Sequence, residues 1–219
     1  MRGSGWGSGL RSVVECAHAD SFNLTALAER LLTEGRLKPL AWKIKDALDI
    51  ASAHTDLVMA LETLDALDTL LAAPPTDDTN RAATELALLN AAVVLYARAT
   101  TTTSKMRKTF DLSKGFSPEE NTVHQELVDL RNHAIAHFGA GGSYRGVWQA
   151  EILLLQRSPS GVFRVGGATK RQTMDKKLVA RARKQIEKVK PIFYDASQKK
   201  IAEATAELNK MSPEDFEKE

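Results

Sequence analysis

The chain has 219 residues, a formal charge of +2 from 30 Lys and Arg against 28 Asp and Glu, and one cysteine. That length supports one substantial domain and excludes several independent cores. No run approaches the roughly 20 consecutive apolar residues of a bilayer span, and residues 10–25 are interrupted by Arg11, Glu15, His18 and Asp20, so a soluble cytoplasmic protein without a signal peptide is expected.

Residues 1–9 alternate glycine and serine without apolar periodicity and read as tag or linker sequence, with the native chain expected to begin near Leu10. Asn23 is a capping residue for a first helix, with Leu24, Leu27, Ala28 and Leu31 at helical spacing and Gly35 at its end. From Leu40 to Leu71 the apolar positions Ile44, Leu48, Ala51, Val58, Leu61, Leu64, Leu67 and Leu71 keep a spacing of three or four, and Ser52 to Thr55 is where the helix could break. Pro74-Pro75 stops it. Thr79 or Asn80 then caps a helix through the nearly all-apolar Leu86–Leu95, which is expected at the centre of the core.

A polar connector follows from Thr100 to Gly115. Ser117-Pro118-Glu119-Glu120 combines a serine cap, proline at the first helical position and acids at the positive end of the dipole, which predicts a helix from 118 to about Phe138. Gly139, Gly141 and Gly142 supply its C-terminal cap. Residues 147–157 and 162–165 flank Ser158-Pro159-Ser160-Gly161 and predict a β-hairpin. After Thr173 the chain returns to helix, which Pro191 is expected to kink or divide, with a last helix reaching about Met211 and an acidic tail over 212–219. The fold expected is a mainly α antiparallel helical bundle over residues 10–211, with a small β-hairpin insertion near 147–165.

Between Arg164 and Lys200 there are 12 Lys and Arg against three acids, a local +9 that leaves −7 for the rest of the +2 chain. This asymmetry suits a polyanionic partner, with a solvated helical face as the competing reading. The lone Cys16 has no partner for a disulfide or a zinc site.

On a helical wheel of the predicted 118–138 helix, Leu127, Leu130, Ala134 and His137 fall within about 40° of Val123, and Arg131 lies at about 80°. Arg131 and His137 are therefore about 120° apart on an ideal helix. They meet only if the arginine folds back, if the last turn is distorted, or if a cleft takes its groups from two chains, and the last route predicts a dimer.

The stretch Leu130-Arg131-Asn132-His133-Ala134-Ile135-Ala136-His137-Phe138 resembles the motif of the HEPN family: arginine, a polar residue, a short spacer and histidine near the end of a helix. A second stretch, Leu95-Tyr96-Ala97-Arg98-Ala99 with Ser104 and Arg107 after it, is similar to a run upstream of the motif in some bacterial members. The resemblance covers about residues 80–140; the hairpin lies outside the family's minimal pattern. It implies an all-helical bundle and a metal-independent endoribonuclease without a cofactor, in which the ribose 2′-hydroxyl attacks the adjacent phosphate. Toxins of toxin-antitoxin pairs and phage-defence proteins belong to the family, so an antitoxin or regulatory partner is implied beside RNA and a homodimer with a composite active site.

In that chemistry His137 is the proton-transfer group, with the dipole's negative end favouring its protonated form. Arg131 holds the phosphate, Asn132 orients it or the histidine, and His133 either faces the same cleft or pairs with Asp129. Arg98, Arg107, Lys176, Lys177, Arg181 and Lys184 are the candidate substrate-binding cations. No metal site is expected: His133 and His137 have helical chelating spacing, but Ala134 stands where the zincin pattern needs glutamate, and His124 points the other way. The glycines at 139–142 lack the Gly-Lys-Ser/Thr ending of a phosphate loop. Competing with the ribonuclease are a catalytically silent HEPN-like sensor or adaptor that binds RNA or a nucleotide, and a plain helical scaffold.

Overall fold

The computed structural model describes residues 23–74, 79–102, 112, 115–132, 149–159, 161, 163–171 and 175–211. They form five helices and one two-stranded antiparallel sheet in the order α1 (Leu24–Thr33), α2 (Lys38–Ala72), α3 (Thr79–Thr101), α4 (Pro118–Leu130), β1 (Gln149–Arg157), β2 (Phe163–Arg171) and α5 (Lys176–Leu208). The mainly helical architecture with a small hairpin is as expected.

Local chemistry accounts for the helix ends. Asn23 Oδ1 accepts from the amides of Thr25 and Ala26, at 3.1 and 3.2 Å, and satisfies two of the first-turn donors of α1. That helix closes on Gly35, at φ 71°, with Arg36 N donating to Leu31 O at 3.0 Å and Gly35 N to Leu32 O at 3.3 Å. Arg81, from the first turns of α3, donates to the carbonyls of Leu70, Ala73 and Pro74, and so caps the end of α2 from a neighbouring helix. Ser117 and Glu120 exchange the two bonds of a capping box, Ser117 N to Glu120 Oε2 at 2.7 Å and Glu120 N to Ser117 Oγ at 3.3 Å.

Ion pairs set the directions of packing. Lys43 pairs with Glu207, and Arg183 with Asp65 and Asp68, so α2 and α5 run antiparallel. Arg81 on the end of α2 and Arg98 on Asp56 make α3 antiparallel to α2. Glu120 meets Lys188 and Glu126 meets Arg181, which makes α4 antiparallel to α5. The result is a ring of four helices alternating up and down, with α1 laid against α2. Leu57, Leu64 and Leu67 of α2, Leu89, Val93 and Tyr96 of α3, Leu127 and Leu130 of α4, and Leu178, Ile186, Val189 and Phe193 of α5 fill the centre, each at most 2% exposed. A smaller core of Leu27, Leu31, Leu40, Ile44 and Ala204 lies under α1.

Three features differ from the sequence expectations. Helix α2 runs through Ser52–Thr55 unbroken, because Ala53 and Leu57 are buried on either side and the Thr55 hydroxyl bonds back to Ala51 O at 3.1 Å. Pro191 neither divides α5 nor starts another helix, since buried Val189 and Phe193 flank it while Pro191 and Glu187, whose carbonyl it leaves without a donor, face solvent. Strand β2 runs on past residue 165 to Arg171, pairing Gly166 and Gly167 with Leu154 and Leu153. The expected continuation of α4 through 133–138 and the tail over 212–219 lie outside the described residues.

The stretch Asn80–Thr101 is, among the described residues, long and apolar enough to cross a membrane. Here its apolar side is part of the core, and Arg81 and Arg98 on it are ion-paired. Because α4 is short and anchored by few large side chains, Leu127→Ala is expected to destabilise the protein by about 2–5 kcal/mol. Urea unfolding measures this, and a loss below about 1 kcal/mol contradicts the packing described.

Candidate functional site

Helix α4 carries Glu120, His124, Leu127 and Arg131 on one stripe, at spacings of four, three and four. Leu127 is fully buried, which orients the stripe toward the other helices, and Arg131 emerges from it at the bundle's rim, exposed. The N–H of Arg131 still bonds to Leu127 O and Val128 O. Arg131 and Asn132 then wind as a π-type turn, a widening that recurs at functional sites. Arg131 Nη1 donates to Asn132 Oδ1 at 2.9 Å, which fixes the guanidinium beside the Asn132 amide. His133 and His137 lie outside the described residues, as does Arg107.

The α4–α5 ion pairs define what stands opposite Arg131. From Glu120 to Glu126 is six residues on α4, and from Lys188 to Arg181 is seven on α5. Continuing that antiparallel register brings position 131 level with 176 and 177, the first turn of α5. Lys176 and Lys177 are exposed there, and the positive end of the α5 dipole faces the same way. Asp175 caps this end, its Oδ1 accepting from Lys177 N at 2.8 Å, and places one acid among the three cations.

The other candidate cations are elsewhere. Arg98 forks onto buried Asp56, Nε to Oδ2 at 2.8 Å and Nη2 to Oδ1 at 2.5 Å, and the bond to Asp56 raises its pKa. Since Tyr96 is level with His124, Arg98 sits about nine residues, or roughly 13 Å, down the axis from Arg131. Arg181 forks onto Glu126, whose side chain is 4% exposed, at 2.7 and 3.3 Å. Lys184 is exposed and makes no ion pair with another described residue, but lies about two turns of α5 from its start. Of the 12 basic residues between 164 and 200, Arg181, Arg183, Lys188 and Lys200 are paired with acids of this chain. Arg181, Arg183 and Lys188 reach acids on α4 and α2, so part of the sequence asymmetry is neutralisation between helices, while Lys200 pairs with Glu203 of its own helix.

Two turns below Arg131 is a polar group that spacing within α4 did not reveal. His124 Nδ1 lies 2.8 Å from the Tyr96 hydroxyl, which accepts from Gln185 Nε2 at 3.4 Å. That bond leaves the hydroxyl hydrogen for Nδ1 and puts the histidine's own proton on Nε2. Phe116 packs on the His124 ring at 5.7 Å between centroids. Burial lowers the His124 pKa and pushes that of Tyr96 up. The partners are 28 and 89 residues apart, so only a long-range pairing signal could have joined them. Among the described residues no group of three or more His, Cys, Asp or Glu is arranged to hold a metal ion.

No protein-family model matches the chain, no curated protein is similar to it, and no solved structure matches it.

The His124 network carries a pH dependence of stability. In the unfolded chain this histidine takes up a proton near its ordinary 6.5, and in the folded protein only at lower pH. Its contribution to stability is therefore complete above that value and is lost as pH falls through the folded value. Replacing it as His124→Phe is expected to make the fall in unfolding free energy between about pH 7 and 5 shallower than in the parent protein. His54, also lowered by burial, keeps the variant's curve from being flat. An unchanged slope contradicts the assignment.

Proposed function

We propose that the end of α4 is the centre of a metal-independent endoribonuclease, with Arg131 as the phosphate-holding cation and His137 as the proton-transfer group. What supports this reading is the α4–α5 register, which puts exposed Arg131 at the same end of the bundle as exposed Lys176 and Lys177 and the start of α5. A planar guanidinium with two ammonium groups and a helix N-terminus level with it suits a phosphodiester. The family resemblance supplies the histidine and the reaction; the exposed lysines at the level of the arginine support a phosphate there.

In this reaction the 2′-oxygen forms a bond to phosphorus as the bond from phosphorus to the 5′-oxygen breaks. The 2′-hydroxyl proton passes to a base and another proton reaches the leaving oxygen, giving a 2′,3′-cyclic phosphate and a 5′-hydroxyl end. His137 does one of these transfers, and Arg131 stabilises charge growing on the non-bridging oxygens. Asn132, hydrogen-bonded to the guanidinium, orients it.

An ideal helix holds positions 131 and 137 about 120° apart, so a cleft assembled from two protomers is the arrangement in which both groups reach one phosphate. A homodimer, RNA as substrate, a regulatory or antitoxin partner and a cytoplasmic setting in toxin or defence biology all belong to this proposal.

The test is cleavage of a labelled single-stranded RNA in EDTA. The parent protein is expected to yield 2′,3′-cyclic phosphate ends, with His137→Ala slower by about 10²–10⁴-fold and Arg131→Ala by about 10²–10³-fold. RNA binding without cleavage points instead to a silent sensor or adaptor, and cleavage only with a divalent metal overturns the mechanism.

A further inference from the structure

The hairpin is built as an arm. Its two nine-residue strands pair over their whole length, from Gln149↔Arg171 to Arg157↔Phe163, giving a ribbon about 30 Å long. Among the described residues its extensive contacts are between its own strands. At the distal end both faces are open: Leu155, Gln156 and Arg157 on β1 and Phe163, Arg164 and Val165 on β2 are all exposed. A two-stranded ribbon in water is marginal on its own and gains from a partner laid along it.

The charge of the ribbon selects that partner. Residues 149–171 hold Arg157, Arg164, Lys170 and Arg171 against Glu151 alone, a net +3. Arg157 and Arg164 are consecutive in pairing along the ribbon, fall on opposite faces, and make no ion pair with another described residue. Phe163 is 60% exposed at the tip, with the Arg157 guanidinium over its ring at 5.7 Å. An exposed aromatic ring joined to a guanidinium, with a second exposed arginine on the other face of the ribbon, fits a nucleic acid strand whose bases are free to stack. The exposed Leu155 and Val165 beside them would suit a protein surface, but exposed arginines on both faces favour the polyanion.

The root of the arm gives it a place in the reaction. Three residues separate Arg171 from Asp175, so the ribbon springs from the end of the bundle that carries Lys176, Lys177 and, level with them, Arg131. We infer that the β1–β2 arm is a binding site for single-stranded RNA, stacking a base on Phe163 and holding phosphates with Arg157 and Arg164, and feeding the strand toward Arg131. The last clause rests on the ribonuclease reading; the binding site does not.

The full-length protein is titrated into a short labelled single-stranded RNA that is 2′-O-methylated at every nucleotide, so that the proposed reaction cannot cut it, with anisotropy as readout at several salt concentrations and cleavage of the unmethylated RNA in EDTA followed in parallel. Phe163→Ala is expected to weaken binding about tenfold. Arg157→Gln with Arg164→Gln is expected to lower the slope of log affinity against log salt by about 1.4, two contacts at roughly 0.7 each. Unchanged thermal melts show that these tip substitutions leave the bundle folded. If the parent protein does not cleave but these losses of affinity appear, the arm stands and the ribonuclease reading falls. Affinity and salt slope within about twofold of the parent in both variants overturn the arm. So does a loss of dimer by light scattering with RNA affinity intact, which assigns the tip to a second copy of the chain.

Discussion

Glu126 and Arg181 form the contact on which the candidate site depends. The Glu126 carboxylate is almost wholly removed from water and meets the guanidinium through two N–H groups, so sliding α4 by one residue along α5 would strip a buried acid of a bidentate partner. A pairing of this kind contributes less to net stability than to the choice of register. Leu127 and Leu130 then enter the core beside it, and the Ser117 box starts the helix at one residue. With both ends defined, the exit of Arg131 at the rim beside the start of α5 follows from counting turns.

The same logic reinterprets the basic stretch of the chain. Arginines and lysines that reach across to acids on α2 and α4 bind the helices to one another, and such partly exposed pairs each add little on their own. Cations left over at the first turn of α5 and on the arm are the ones open to a polyanion. Exposed cations at the first turn of α5 and on the projecting ribbon give that end of the chain a positive field.

Local signals in the sequence were good guides to where elements begin. Asn23, Gly35, Ser117 and Glu120 act through bonds to residues no more than five positions away, and their spacing is visible in one dimension. Breakers were weaker guides. Ser52–Thr55 and Pro191 looked like interruptions, yet packing on several sides carried α2 and α5 through, and pairing with β1 carried β2 beyond its expected end at 165 to Arg171. For the candidate site, Arg131 and Asn132 were singled out by the resemblance of residues 130–138 to a family motif. That Arg98 and Arg181 serve buried Asp56 and Glu126 was not legible, because those acids lie 42 and 55 residues away and helix spacing says nothing about a neighbouring helix.

The central claim is that Arg131, Asn132 and the first turn of α5 form one phosphate-binding end. Amide and guanidinium shift mapping by NMR, with a short RNA 2′-O-methylated at every nucleotide so that it cannot be cleaved, measures this directly. Saturating shifts are expected together at residues 131–132 and 175–178, beside those on the β1–β2 arm. Shifts centred on the α2–α5 ion pairs, with the Arg131 side chain unmoved at saturation, would contradict it.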